Sequence, residues 1–381
     1  MKAFVRGSLI IGIKNGGTTS GYVGIEGGRI TSVTSERPED YETAELIVGG
    51  ENRIVSPAFI TTATLSLYPF RYRVYSGKLN LRDLVSVMSA NDAYSFSLAA
   101  SYHLLKNGVV SVVITDPFVE QAARAATVVG LRPILVVPAG CYSMEKDWES
   151  TFSVLSNRWS SPGSKVFVRV CDQDLLKDTL ELARESGTKV LAERTVELSS
   201  LSKEEVKNLI ALGGGSRSDI EFVKKMRIPL SFTPSLEVSV FPLSTLHPSI
   251  AVDLTPSYNP VIEAGYAVSR LLLTSEDAFF SLTKWGYEQA SIDGGVIERS
   301  KVADIAVFEY NEPPSFPLDY ETPWDDVIFA SFNHVETVFE GGEVILDGGV
   351  PLNVGEKDLE KALERMRGMD VNAKLASLEK G

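Results

Sequence analysis

The chain has 381 residues, 44% hydrophobic and 23% charged, enough for one barrel-sized domain or two smaller ones. Its 37 basic and 50 acidic residues leave a formal charge of −13, which repels phosphate backbones and anionic lipids and argues against nucleic acid as a partner. No apolar run approaches the roughly 18 residues of a membrane helix, and the opening "MKAFVRGSLIIGIKNGG" has an arginine within its apolar stretch, so neither a membrane span nor a secretory signal is expected.

In chain order, the first fifty residues read as β structure, with "YVGIEGGRITSVT" alternating apolar and polar around Gly27-Gly28, a hairpin signal. After Pro57 the pattern changes. "VVSVVITD", "RPILVVPAG", "KVFVRVCDQD", "TKVLAERTVE", "RIPLSFTPS" and "SIAVDLTPS" are short buried-strand runs, and helix-like segments such as "PFVEQAARAATVVG", "LLKDTLELARESG" and "SKEEVKNLIALGGG" lie between them. Such repeated βα units predict a parallel sheet, and about eight of them between Pro57 and Gly295 predict an α/β fold, a distorted (β/α)8 TIM-type barrel over 57–297. Further on, "ADIAVFEY" is a strand and "VETVFEGGEVILDGG" a second hairpin around Gly341-Gly342. A lone hairpin is only marginally stable in water, so 1–56 and 298–355 are expected to meet in one small composite β-sandwich. The tail, 356–381, reads as a charged amphipathic helix on the outside.

Barrel function sits at the C-terminal ends of the strands. That rule selects Thr62 to Leu65, Asp116, Arg169 to Asp172, Glu193 to Glu197, Pro234, Ser235 and Asp253 to Asn259. Arg71 and Arg73 fall in a loop near the mouth, positioned for an anionic ligand, and Tyr258 and Asn259 fall in a turn-rich loop facing the same region. Of three histidines, His103 lies in a helical pattern, His334 in the terminal β segment, and His247 in the loop before the last strand, where it is read as the one near the mouth. Cys141 and Cys171 are too few for a disulfide scaffold and too far apart for a zinc knuckle, which suggests a reducing cytoplasm. "ALGGGSRSD" lacks the P-loop lysine and reads as a turn.

Several motifs in order resemble the amidohydrolase superfamily, in its aminohydrolase, chlorohydrolase and deaminase branch. "VSPAFITTATLSL" is similar to that family's P-G-F-[IV]-[DN]-x-H-x-H-L, "LLKNGVVSVVITD" with "AARAATVVGLRPIL" to its G-v-T-t-v-x-D and A-x-x-x-G-l-R pattern, and "GGVIERSKVADIAVFE" with "VFEGGEVILDG" to its closing strands. The resemblance implies the same barrel and composite β domain. It also implies hydrolysis of C–N bonds by a hydroxide on one or two divalent metals, held by paired histidines after strand 1, histidines ending strands 5 and 6, and an aspartate ending strand 8. Those ligand positions fall on Ala63, Leu65, Arg169, Glu193 and Asp253, and the glutamate after the strand-5 histidine falls on Asp172. Four of the five have lost their ligand. No metal or other cofactor is therefore expected, the alternative being one zinc or iron ion held by carboxylates. Asp253 and Glu193 are the catalytic candidates, and Arg169, Asp172, Thr64, Asn259, Arg71 and His247 the candidate ligand contacts. Two readings stay open. One is a hydrolase of the deaminase or chlorohydrolase type working without the family's metal-hydroxide chemistry. The other is a silent relative that binds a small molecule in the mouth or serves as a subunit of an assembly, homo-oligomers included.

Overall fold

The computed structural model describes residues 1–13, 18–142, 147–159, 165–213, 217–237, 244–311, 317–330 and 335–378. His334 and part of the glycine-rich stretch after Leu212 lie outside them. Eight strands form one parallel sheet: barrel strand 1 (Phe59–Ala63), strand 2 (Val109–Ile114), strand 3 (Arg132–Ala139), strand 4 (Lys165–Val170), strand 5 (Val190–Ala192), strand 6 (Leu209–Leu212), strand 7 (Leu230–Phe232) and strand 8 (Ser249–Ile250). A bridge between Thr62 and Ala251 nearly closes the ring. Helices cover the outside and side chains fill the inside, so both faces of each strand are buried; runs such as VVSVVI are apolar throughout for that reason. Strand 6 corrects the sequence reading. The pattern of "NLIALGGG" continues a helix, but only Glu205–Asn208 coils, as a single 3-10 turn, and Leu209–Leu212 pairs with strands 5 and 7.

The barrel floor is filled by Ile60, Phe167, Leu191 and Ile210. The small Ser231 and Ser249 leave room there for Gln289, which accepts from Ser249 Oγ at 2.8 Å and donates to the carbonyls of Leu230 and His247 at 3.0 and 2.9 Å. That contact corrects a second expectation. A loop entering a parallel strand lies at its N-terminal end, so exposed His247 sits under the floor, stacked on Trp285 at 5.1 Å, on the opposite side from the mouth.

Both chain ends build one nine-stranded sheet, joined where Arg53–Pro57 pairs antiparallel with Ile305–Glu309. Its two Gly-Gly turns abut: Gly28 has φ +78°, and a Cβ on it would lie 2.8 Å from the Gly341 carbonyl oxygen, so a side chain is excluded by both conformation and space. Asp304 fastens this sheet to the barrel. Its buried carboxylate accepts from Arg132 Nη2 at 3.1 Å, the Gly341 amide at 2.8 Å and the Tyr287 hydroxyl at 3.0 Å, and Arg132 also pairs with Glu340.

Helices Glu356–Arg367 and Val371–Leu378 cover the helices that follow strand 1. Met366, Met369, Val371 and Leu375 pack on Leu67, Phe70, Leu84 and Phe96. Asp92, 5% exposed, closes a capping box with Ser89 and receives Arg365 Nε at 2.7 Å and Lys374 Nζ at 3.4 Å. Burial opposes its ionisation, but the Ser89 hydroxyl and amide and the two cations outweigh it and bring its pKa down to about 2. Because the folded value lies below the unfolded one, the stabilisation is complete above pH ~4 and disappears as pH falls towards 2. At low ionic strength Asp92→Asn is expected to cost about 2 kcal/mol at pH 6 and almost nothing at pH 2, read from urea unfolding of both proteins.

Candidate functional site

Along each barrel strand the inward positions alternate, so the residue two beyond a floor residue reaches the mouth. Phe167 leads to Arg169 and Leu191 to Glu193. Ile210 leads to Leu212 and Ser231 to Thr233. These four mouth residues, with Thr62, Thr115, Glu237 and Asp253, line a cavity of about 150 Å3. Outward it opens into a space of about 740 Å3 bordered by Thr64, Leu67, Tyr75, Tyr142, Arg194 and Leu254.

The centre of the mouth is an ion pair. Arg169 Nε and Nη2 both donate to Glu193 Oε2, the former at 3.0 Å, and Nη1 reaches the Thr115 carbonyl at 3.4 Å. Glu193 Oε1 accepts the Arg194 amide at 3.1 Å. Desolvation works against charge on both partners and the pairing overrides it: the Glu193 carboxyl is held below its ordinary range and the guanidinium is raised. Asp253 behaves in the opposite way. Burial raises its pKa and Glu193 adds to the rise, while Arg169 and hydroxyl contacts only moderate it. Thr64 Oγ1 donates to Asp253 Oδ1 at 3.4 Å. Asp253 also sits at φ +36°, a left-handed conformation that costs a non-glycine residue on the order of 1 kcal/mol or more and clusters at binding sites. The mouth thus presents one carboxylate locked in an ion pair and one carboxyl that burial makes a weaker acid than usual.

Two aspects of the ligand-position reading change. By strand count Arg169 ends strand 4 and Glu193 follows strand 5, one strand earlier than the resemblance assigned, and Leu212 ends strand 6. On strand 1 the mouth-facing residues are Thr62 and Thr64, whereas Ala63 and Leu65 are fully buried in the surrounding core. No strand end at the mouth carries an imidazole on either count. Among the described residues no three His, Cys, Asp or Glu side chains come together in a group able to hold a metal ion.

Several sequence candidates make contacts within the fold. Asp172 is exposed and caps a turn through the Asp174 amide at 3.0 Å. Asn259 caps the helix Pro260–Leu271 through the Val261 amide at 2.9 Å and donates to Asn107 at 2.6 Å. Arg71 lies between the rings of Tyr68 and Tyr72 and ties the loop after strand 8 by donating to the Pro256 carbonyl at 3.0 Å. Tyr258 is fully buried, its hydroxyl on the Thr64 carbonyl at 2.9 Å. Asp116 binds the Ser66 amide and hydroxyl at 2.7 and 2.8 Å and shapes the loop after strand 1.

Cys141 and Cys171 are joined as a disulfide; strands 3 and 4 are neighbours, so a 30-residue separation brings their ends together. Arg217 was missed altogether. It is fully buried, pairs with Asp219 through Nε at 2.9 Å and Nη2 at 3.1 Å, and donates to the carbonyls of Ala192, Glu193, Val196 and Leu212 at 3.2, 3.0, 2.7 and 3.1 Å. It therefore fixes the backbone that carries Glu193. An arginine and an aspartate two residues apart after a glycine run were its only sequence signal.

No family model matches the chain. It is 21% identical to a 5'-deoxyadenosine deaminase of Methanocaldococcus jannaschii, covering 90% of this chain and 94% of the relative. It is 22% identical to a 5-methylthioadenosine/S-adenosylhomocysteine deaminase of Thermoanaerobacter pseudethanolicus, covering 89% and 91%. Its structural neighbours include a zinc-bound adenosine deaminase from Xanthomonas campestris (TM-score 0.78, 14% identity, 96% of this chain and 99% of that one). Others are an atrazine chlorohydrolase from Arthrobacter aurescens complexed with zinc (0.77, 12%, 96% and 100%) and an amidohydrolase from a Sargasso Sea sample (0.71, 15%, 99% and 100%). Relatives named as deaminases match along about nine-tenths of its length, and over nearly all of it the chain shares the fold of amidohydrolase-type barrels.

Proposed function

We propose that this chain binds a small polar molecule in its barrel mouth and does not carry out the superfamily's metal-hydroxide chemistry. One observation supports this above the rest. The Arg169 guanidinium lies in the mouth, ion-paired to Glu193 and close enough to Asp253 to influence its acidity. A permanent cation beside two carboxylates supplies the positive charge a metal would supply and repels an incoming one. The donor chemistry points the same way, since zinc and iron hydrolases rely on imidazole nitrogens and the carboxylate best placed to replace them is taken by Arg169. What remains are the Asp253 carboxyl and the hydroxyls of Thr62, Thr115, Ser231 and Thr233, a set suited to hydrogen-bonding a neutral polar group.

The deaminase names of the relatives favour the other reading, a C–N hydrolase, and supply the first probe, 5'-deoxyadenosine. Protein purified without chelators is expected to contain zinc, iron and manganese well below one equivalent, to melt at the same temperature with EDTA or added zinc, and to be stabilised by 5'-deoxyadenosine without releasing ammonia. Near-stoichiometric metal, or ammonia release abolished by EDTA, would return the chain to the family chemistry.

A further inference from the structure

The Cys141–Cys171 disulfide adds little to the barrel itself. Strands 3 and 4 are already paired over Ile134–Ala139 and Lys165–Val170, and the Cys171 amide donates to the Ala139 carbonyl at 3.0 Å. The bond constrains instead the short path Gly140, Cys141, Tyr142. Gly140 has φ +71°, and a Cβ there would come within 2.6 Å of Asp172 Cβ, so the chain leaves strand 3 pressed against the end of strand 4. Both cysteines are half-buried, and they border the 740 Å3 space together with Tyr142, Arg169, Glu193 and Asp253. A disulfide on the wall of an open cavity is accessible to a small thiol, as one in a packed core is not. These are the only two cysteines of the chain, so no third thiol diverts the exchange.

We propose that this disulfide is a reversible thiol switch on the mouth, a regulation that rests on the reading of the mouth as the ligand site. A thiolate of a dithiol reductant attacks one sulfur and breaks the S–S bond, forming a mixed disulfide, which the reductant's second thiolate resolves. Two electrons and two protons pass to Cys141 and Cys171, and the reductant leaves as its own disulfide. A low-molecular-weight disulfide reverses the exchange. In the oxidised form Tyr142 is fixed on the cavity wall beside Arg169. In the reduced form Gly140, Cys141 and Tyr142 are released while the ladder between strands 3 and 4 persists.

Hydrogen exchange of the full chain, oxidised and after dithiothreitol without denaturant, tests this directly. The amides of Gly140, Cys141 and Tyr142 are expected to exchange about tenfold faster or more on reduction, with the Cys171 amide and strands 1, 2, 6 and 7 unchanged and full reversal by oxidised glutathione. The double variant Cys141→Ser/Cys171→Ser is expected to match the reduced protein under both conditions; should it fail to fold, the wild-type pair still decides. The switch is overturned if the disulfide yields only to unfolding, if reduction accelerates exchange throughout the barrel, or if those three amides do not respond. Titration with 5'-deoxyadenosine separates the two proposals. Binding to neither form with the local response intact removes the ligand reading and leaves the switch, whereas equal binding to both forms removes the coupling of the switch to the ligand.

Discussion

Replacing Arg169 with methionine is expected to lower the unfolding free energy by about 3 kcal/mol or more near neutral pH, the cost of breaking a largely buried pair from one side. Methionine keeps most of the volume of the stem and removes the charge. Glu193 would keep the Arg194 amide and lose the cation that holds its pKa down, and Asp253 would lose the positive neighbour that moderates its own rise. The pair is 19% and 18% exposed, so burial would then dominate both carboxyls. The sign with pH follows. In the wild type the depressed Glu193 pKa gives stability that is present above its unfolded value and lost in acid. In the variant a raised pKa makes the deficit grow as pH rises from about 5 to 8. Urea unfolding of both proteins at those two pH values reads the effect. The double variant Arg169→Met/Glu193→Leu is expected to regain most of the loss, because no lone charge remains. A single-variant cost below ~0.5 kcal/mol at both pH values would mean that the pair acts like an ordinary surface contact, and the account of the mouth would fall with it.

The fold was largely legible because its signals are local. Apolar runs of strand length between helical segments marked the barrel, and the Gly27-Gly28 and Gly341-Gly342 turns marked the terminal sheet. Errors arose where periodicity was too short to speak. Leu209–Leu212 is four apolar residues directly after a coil, which pattern alone cannot tell from a helix end. On strand 1 the motif likeness gave the order of residues but not which face they occupy, and with a side-chain period of two a one-residue offset exchanges Ala63 and Leu65 for Thr62 and Thr64. That Arg169, Glu193 and Asp253 share the mouth was legible, since the rule for barrel ends selects all three. That Asn259 answers Asn107 across 152 residues, or that Arg71 is held between two tyrosine rings, was not, because each partner is set by the closed fold. His247 was misplaced by sequence proximity to strand 8 rather than by chemistry; the direction of the strand, not its distance, decides which end a loop occupies.

Arg217→Met is expected to cost more than Arg169→Met, because the Arg217–Asp219 pair is 0% and 1% exposed and no water can replace what is lost. Removal strands the Asp219 carboxylate, which would retain the Leu198 amide at 2.7 Å, and leaves the Arg217 contacts to four backbone carbonyls unmade. A loss of about 4 kcal/mol or more follows from the buried charge alone. Arg217→Lys keeps the charge and should still lose about 2 kcal/mol or more, since a single ammonium with three donors cannot span both Asp219 oxygens and four carbonyls. The lysine variant is the informative one if the methionine variant does not fold. Its amides at Glu193, Arg194 and Val196 should exchange faster than the rest of the barrel, because Arg217 holds the carbonyls of Ala192, Glu193 and Val196 on either side of the residue that pairs with Arg169. Uniform exchange across the barrel would make Arg217 a general staple. A selective rise at strand 5 would make it the positioning residue of the mouth, acting on Arg169 through the backbone of Glu193 without touching the guanidinium itself.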